Sequence, residues 1–271
     1  MAIPDYLPPT ECEGKRLQRF EHYESRIKWL ERLDDGNGDE DESQGYVFRI
    51  RIQEQEYAIK VFKFFDPGET KFYWGHYLGN DTSPHVAAWY CDPFYAECRA
   101  YGRLQAASSK GNWAQNIAVP CYGFMFLQER DEKILRDRRV DLGLHNADVE
   151  YQEDAIWAGK PRAIIKALAP AETGVCEKTL PKILSRIARL NNHGIWSQDI
   201  RKDNFRDGRL IDFGSSWTAP HKLLDALQGV ALKERLLVDR SMFDQMVRDE
   251  EIPNPKNIKA IHSMRLRSQR R

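Results

Sequence analysis

Three side chains in the stretch HGIWSQDIRKDNFRDGRLIDFGSS, residues 193–216, have the types and the spacing of a metal-dependent site. Asp199 is followed by Asn204 after four intervening residues, and Asp212 begins an Asp-Phe-Gly triplet that follows two apolar residues. One carboxylate can accept a proton, while an amide oxygen and a second carboxylate can bind a hard cation such as magnesium. Phosphoryl transfer needs these groups and little more, because its catalysis is mostly positioning and charge neutralisation.

The elements that must hold these groups are indicated by the apolar spacing before them. Residues 180–194 carry Leu and Ile at helical intervals, with Pro181 in the first turn and Gly194 just past the end. This pattern predicts a helix that leads directly into the site. Residues 162–170 predict a short buried strand that a proline stops, and the alternation in residues 46–64 predicts a β-hairpin.

The remaining segments are predicted from the same periodicities. Residues 15–33 place apolar side chains at helical spacing, which predicts an amphipathic helix, and residues 93–105 predict a second one. Residues 66–93, rich in Gly, Pro and aromatics, are interpreted as a long ordered insertion. Packing of its aromatics on the smaller half of the protein is favoured over a lid or a substrate pocket. The chain after Gly214 predicts two or three short helices and a basic tail.

Composition bounds the class of protein. The chain has 271 residues, 41% of them hydrophobic, and its 41 basic residues balance 41 acidic ones. Zero net charge gives no reason to expect nucleic acid or an anionic membrane as a partner. The five cysteines are odd in number and scattered, which is typical of reduced thiols, and no apolar run has membrane-spanning length. We therefore expect an intracellular protein, cytoplasmic or nuclear.

The motifs, taken in order, resemble those of protein kinases. DIRKDN resembles the catalytic loop of that superfamily, and Asp212-Phe213-Gly214 resembles its metal-binding triplet. The tetrapeptide that ends at Lys60 is similar to the third-strand lysine motif, and Glu97 lies on the next predicted helix, where the superfamily places the lysine's partner. The resemblance implies an α+β, two-lobed, kinase-like fold in a single domain, with a β-rich lobe over residues 1–166 and an abbreviated helical lobe over residues 167–271.

The same resemblance implies ATP as a cofactor and assigns the residues that would hold it. Lys60 would bind the α- and β-phosphates, and Glu97 would orient its ammonium group. The other residues that the resemblance places at the nucleotide are Val47, Ala58, Ala167 and Ala169.

Magnesium and the transferred phosphoryl group are assigned in the same way. Asp199 would be the catalytic base that accepts the acceptor's proton, and Asn204 and Asp212 would bind Mg²⁺. Arg201 occupies the place where many kinases have a lysine that neutralises the transferring phosphate. A guanidinium group could do this through two hydrogen bonds, although the exchange is not conservative.

Several departures argue against an ordinary protein kinase. Gly36 and Gly38 are not followed by the third glycine of a phosphate-binding loop, and the acidic residues 39–42 would repel phosphates. Ser197-Gln198 replaces the His-Arg pair, so a phosphorylated activation loop has no arginine partner there. No Ala-Pro-Glu motif follows, and residues 215–271 are too few for the usual peptide-docking platform.

A narrower resemblance is carried by WYCDPFYAECRAYGRL and HGIWSQDIRKDNF. Both are similar to a fungal family of kinase-like proteins named for an inner-kinetochore subunit. Phosphotransfer to a small molecule or an atypical substrate is favoured, with a nucleotide and an unidentified acceptor as ligands. Two alternatives are a pseudokinase that binds protein partners in a nuclear assembly, and a kinase fold that does other acid–base chemistry on an organic ligand.

Overall fold

A five-stranded antiparallel sheet forms the N-terminal half of the computed structural model, which describes residues 14–34, 43–108, 116–143 and 159–261. The acidic residues 35–42 and the basic tail from residue 262 therefore lie outside the described residues. The strands are β1 (Lys28–Arg32), β2 (Gly45–Ile52), β3 (Gln55–Phe62), β4 (Cys121–Phe126) and β5 (Arg162–Ala167), in the spatial order β1-β2-β3-β5-β4.

The central hairpin of this sheet follows the predicted alternation. In β2 the side chains of Phe48, Ile50 and Ile52 are buried on one face, while the residues between them are half-exposed. The two-residue turn that joins β2 to β3 places Gln53 and Glu54 at positive φ, as the twist of a tight hairpin requires. The predicted hairpin is confirmed, and the strand predicted over residues 162–170 is confirmed over Arg162–Ala167.

The predicted helix over residues 15–33 is wrong. This segment runs along the edge of β4, where Phe20 N donates to the Phe124 carbonyl at 2.8 Å, and it then forms β1. Ile27 and Trp29 are buried while Lys28 between them is exposed, so the period at the end of the segment is two residues. Backbone partners on neighbouring strands outweighed a weak helical spacing.

Helices from both the N-terminal and the C-terminal half of the chain pack against the sheet and against each other. Their bounds are α1 (Lys71–Leu78), α2 (Pro84–Cys91), α3 (Pro93–Ser108), α4 (Glu129–Asp137), α5 (Leu180–Asn192), α6 (Lys222–Asp225) and α7 (Gly229–Asp249). The predicted helices α3 and α5 are confirmed. After Gly214, the structure differs from the two or three short helices expected, because α7 alone has 21 residues.

The aromatic insertion, residues 66–93, does not pack on the small half alone. Helix α1 buries Trp74 in a cluster with Trp196, Trp217 and Leu223, all of which belong to the C-terminal half. Helix α2 packs on α3, which lies against the sheet. The insertion therefore connects the two halves, and the favoured interpretation of its packing is corrected to that extent.

These parts make an α+β, two-lobed, protein-kinase-like fold with a β-rich N-terminal lobe and an abbreviated helical C-terminal lobe. One buried cluster continues from the sheet through α3 and α5 to α7. None of the described helices is both long enough and apolar enough to cross a membrane.

Removing one methylene group from a buried side chain of the sheet tests its packing. Ile59 is completely buried between β2 and β5. We expect Ile59→Val to lower the free energy of unfolding by about 1 kcal/mol, because one methylene leaves a small cavity. Urea denaturation measures it, and an unchanged midpoint would contradict the described packing.

Candidate functional site

Lys60 lies on β3 at the centre of a buried cluster of charged side chains. Its Nζ donates to both carboxylate oxygens of Asp212 at 2.7 Å and to Glu97 Oε2 at 3.1 Å. Only 6% of the Lys60 side chain is exposed, and Glu97 on α3 is completely buried. The structure therefore brings together three of the residues that the sequence places at a phosphate and metal site.

A second lysine, Lys166 on β5, completes this cluster. Its ammonium group forms an ion pair with Glu97 Oε1 and donates to the Ile211 carbonyl at 2.7 Å. Two ammonium groups and two carboxylates thus balance one another, with Lys60, Lys166 and Glu97 buried and Asp212 partly exposed. Lys166 was missed by the sequence prediction, although a lone lysine inside the apolar run RAIIKALAP is a signal that a buried partner must exist.

Asp199 and Asn204 meet in the loop after α5. Asn204 Nδ2 donates to Asp199 Oδ2 at 2.7 Å, and Arg201 Nε lies 3.2 Å from Asp199 Oδ1. Arg201 also lies 3.4 Å from Asp203, and its side chain is 60% exposed. Ile211 N donates to the Asn204 carbonyl at 3.1 Å, which brings Asn204 next to the strand that leads to Asp212.

Asp239, in the middle of α7, fixes the start of this loop. It is completely buried and accepts hydrogen bonds from Ser197 N at 2.9 Å, Gln198 N at 2.7 Å and Asn191 Nδ2 at 2.7 Å. Burial raises the pKa of Asp239, and these three donors oppose the rise. The sequence prediction did not include Asp239, whose signal was an acid inside the apolar run LLVDRSMF.

The four expected nucleotide contacts lie on or beside the strands that carry the lysines. Val47 pairs with Lys60 and Ala58 pairs with Lys166 in the sheet register, and Ala167 ends β5. Ala169 follows β5 and is half-buried. The Val47 N–H donates to Asp34 Oδ1 at 3.2 Å, so a carboxylate lies directly beside the first of these positions.

The protonation states follow from the same contacts. Burial disfavours the Lys60 ammonium, but Asp212 and Glu97 outweigh it and raise the pKa of Lys60 to about 12. Burial likewise disfavours the Asp212 carboxylate, yet Lys60 and Lys166 outweigh it and hold the pKa of that carboxyl well below its usual range. Burial raises the pKa of Asp199, against the opposing effects of Arg201 and Asn204.

Because of the ion pairs of Lys60, we expect the wild type and Lys60→Met to differ in their free energy of unfolding by an amount that depends on pH. Because its pKa is raised on folding, the stabilisation by Lys60 is fully present below about pH 10 and is lost as pH rises through about 12. We expect the free-energy difference between the two proteins to be constant from neutral pH to about pH 10 and then to shrink. Urea denaturation in a pH series measures it, with exposed Lys182→Met as the control, and a difference that persists unchanged would contradict the ion pairs.

The donor set has the chemistry of a magnesium site. Asp212 and Asn204 offer a carboxylate and an amide oxygen, and Mg²⁺ needs few protein oxygens when phosphates and water complete its shell. The Asn204 amide nitrogen is already directed at Asp199, which leaves its oxygen as the possible ligand. These residues therefore fit the ion, although Asp212 would have to release Lys60 in part.

The comparisons with known proteins identify a family. Residues 6–217 match the family model described as kinetochore Sim4 complex subunit FTA2. No curated protein sequence matches the chain. A solved structure described as vaccinia related kinase 3 matches with 9% identity and a TM-score of 0.38, over 78% of this chain and 53% of that one. The chain thus spans about half the length of that structure.

The FTA2 match covers most of the sequence, and the chain belongs to this family of kinetochore Sim4 complex subunits.

Proposed function

We propose that this FTA2-family protein is a kinase-like scaffold: a subunit of a nuclear, kinetochore-type assembly that binds protein partners, with its central cleft closed by its own charges. The observation that carries the proposal is the saturation of Lys60. Its ammonium group has three protons, and it donates to three carboxylate oxygens, two from Asp212 and one from Glu97. A triphosphate would have to displace Asp212 from a partly buried, charge-balanced pair.

A negative charge beside an expected nucleotide contact supports the same proposal. The segment between β1 and β2 contains six acidic residues, Asp34, Asp35, Asp39, Glu40, Asp41 and Glu42. Asp34 accepts a hydrogen bond from the Val47 N–H, and Gln44 Nε2, at the other end of the segment, donates to Ser215 Oγ at 3.0 Å. Asp34 thus places a carboxylate beside Val47, an expected nucleotide contact, where negative charge repels polyphosphate.

A cell-based exchange tests the scaffold. Asp199→Asn removes the only group proposed as a catalytic base but preserves its size and an oxygen for the Asn204 hydrogen bond. We expect cells that carry this variant in place of the parent to assemble kinetochores and grow normally, as should the exposed control Asp203→Asn. Loss of growth from Asp199→Asn, with the protein's abundance and unfolding midpoint unchanged, would overturn the proposal.

A second function is supported by the intact set of kinase-type residues. In this alternative, Lys60 binds the α- and β-phosphates of ATP with its ammonium group oriented by Glu97, and Asp199 accepts the proton of an unidentified acceptor. Asn204 and Asp212 would hold magnesium, which would supply charge neutralisation at the phosphates. The contact of Lys60 with Glu97 at 3.1 Å favours it, because the pair is already formed.

The other residues of this alternative have matching roles. Arg201 neutralises the transferring phosphate, and Val47, Ala58, Ala167 and Ala169 contact the nucleotide. ATP hydrolysis by purified protein that disappears in Asp199→Asn would select this function over the scaffold. Hydrolysis that persists equally in the variant would identify a contaminating enzyme.

A further inference from the structure

Lys60 and Lys166 share the carboxylate of Glu97, and each lysine takes one of its two oxygens. Lys60 Nζ donates to Glu97 Oε2 at 3.1 Å, whereas the ammonium group of Lys166 forms its ion pair with Oε1. Glu97 is completely buried, so neither oxygen is open to solvent. Lys60 therefore obtains one acceptor from Glu97 and finds the other two on Asp212, at 2.7 Å each.

Two further contacts hold the ammonium group of Lys166 in place. It donates at 2.7 Å to the carbonyl of Ile211, the residue directly before Asp212. It also lies 5.4 Å from the centroid of the Tyr101 ring, whose face attracts a cation. The Tyr101 ring in turn makes an edge contact with Phe213, at 5.2 Å between centroids. Lys166 is thus fixed beside the segment that carries Asp212, and it cannot leave Glu97 without losing these contacts.

Burial separates the role of Lys166 from that of a ligand-binding residue. Only 8% of the Lys166 side chain is exposed, whereas 27% of the Asp212 side chain is. A solvated ion can therefore reach the Asp212 carboxylate, but a ligand does not reach the Lys166 ammonium group. Lys166 affects the cleft through its neighbours and through its charge, which adds to that of Lys60 in repelling a second cation.

The formal charge of this cluster determines whether it has room for a metal ion. With both lysines present, the charges of Lys60, Lys166, Glu97 and Asp212 sum to zero, so a divalent cation enters a cluster that is already balanced. Without the Lys166 ammonium group the sum is −1, and both oxygens of Glu97 become available to Lys60. Lys60 can then release Asp212, whose carboxylate is a ligand of the kind that hard cations prefer.

We propose that Lys166 is a positioning residue: by occupying Glu97 Oε1 it keeps Lys60 on Asp212, and it thereby keeps divalent cations out of the cleft. The inference rests on the closed cleft of the proposed scaffold and names the residue that holds it closed. If Lys166 only stabilised the fold, its removal would weaken the protein without creating a metal site. A gain of metal binding therefore distinguishes the two roles.

The test titrates the full-length wild type and Lys166→Met with Mn²⁺ and measures the free ion by electron paramagnetic resonance. Mn²⁺ takes the same oxygen ligands as Mg²⁺. We expect Lys166→Met to bind Mn²⁺ at least about tenfold more tightly than the wild type, because one positive charge beside the ligand is removed. The exposed control Lys182→Met should bind like the wild type. The acidic residues 39–42 are the same in every variant, so any ion that they take is a common background.

Two double variants locate the gained site. Adding Asp212→Asn to Lys166→Met removes the carboxylate ligand and should abolish the gain. Adding Glu97→Gln restores a formal charge of zero and leaves Asp212 as the carboxylate partner of Lys60, so it should abolish the gain as well. If Lys166→Met does not fold, Lys166→Gln makes the same change in charge and retains an N–H donor for the Ile211 carbonyl.

Equal Mn²⁺ affinity of the wild type and the folded Lys166 variant would overturn the proposal. So would a gain that persists after Asp212→Asn, because the ion would then lie elsewhere. The titration uses neither nucleotide nor cells, whereas the scaffold role is tested by the growth of cells that carry Asp199→Asn. The two proposals can therefore fail separately.

Discussion

Replacing Glu97 by alanine is expected to lower the free energy of unfolding by about 3–5 kcal/mol. The substitution removes the ion-pair partner of the buried Lys166, which keeps its hydrogen bond to the Ile211 carbonyl, and it removes one of the three acceptors of Lys60. An uncompensated buried charge costs more than a lost surface pair. Urea denaturation followed by circular dichroism measures the change.

Two variants make this result specific to the buried charges. Glu132→Ala breaks an exposed ion pair with Arg136 on α4 and should cost at most about 0.5 kcal/mol. Adding Lys166→Met to Glu97→Ala removes the unpaired ammonium and should recover part of the loss. A loss from Glu97→Ala no larger than that from Glu132→Ala, or a double variant that is additive, would contradict the charge cluster.

Replacing Asp239 by alanine is expected to cost about 3 kcal/mol or more, because several buried donors lose their acceptor at once. Ser197 N, Gln198 N and the Asn191 amide all donate to this carboxylate. The same substitution should loosen the loop that holds Asp199, so hydrogen exchange should accelerate at the Ser197 and Gln198 amides.

The control for this prediction lies on the same helix. Asp244 accepts from Ala260 N at 2.7 Å and Ile261 N at 2.9 Å near the surface. Asp244→Ala should cost about 1 kcal/mol and should leave exchange in the loop unchanged. Equal losses from the two variants would show that Asp239 has no special role in holding the loop.

Local patterns were sufficient for the parts of the fold that one segment determines. The alternation in β2 and β3 and the helical spacing of α5 each depend on residues that are close in sequence. The order of Lys60, Glu97 and Asp212 along the chain can likewise be seen in the sequence alone. Kinase-type spacing then predicted that these three side chains meet, and the structure places them in contact.

The features that were missed depend on contacts between distant segments. Residues 15–33 form an edge strand because β2 and β4 offer backbone partners, which no local window reveals. Lys166 and Asp239 are charged residues inside apolar runs. The partners of Lys166 lie 45 and 69 residues away in the chain, and those of Asp239 lie 41 to 48 residues away. The position of α1 between the two halves depends on Trp74 meeting Trp217, a contact that aromatic composition alone does not specify.

Isothermal titration calorimetry of the purified protein with ATP and magnesium tests most directly whether the Lys60–Asp212 pair closes the cleft. We expect no saturable heat at millimolar nucleotide, in the wild type as in Lys60→Met. Saturable binding with a micromolar Kd that Lys60→Met abolishes would contradict the closed cleft and would establish Lys60 as a phosphate ligand.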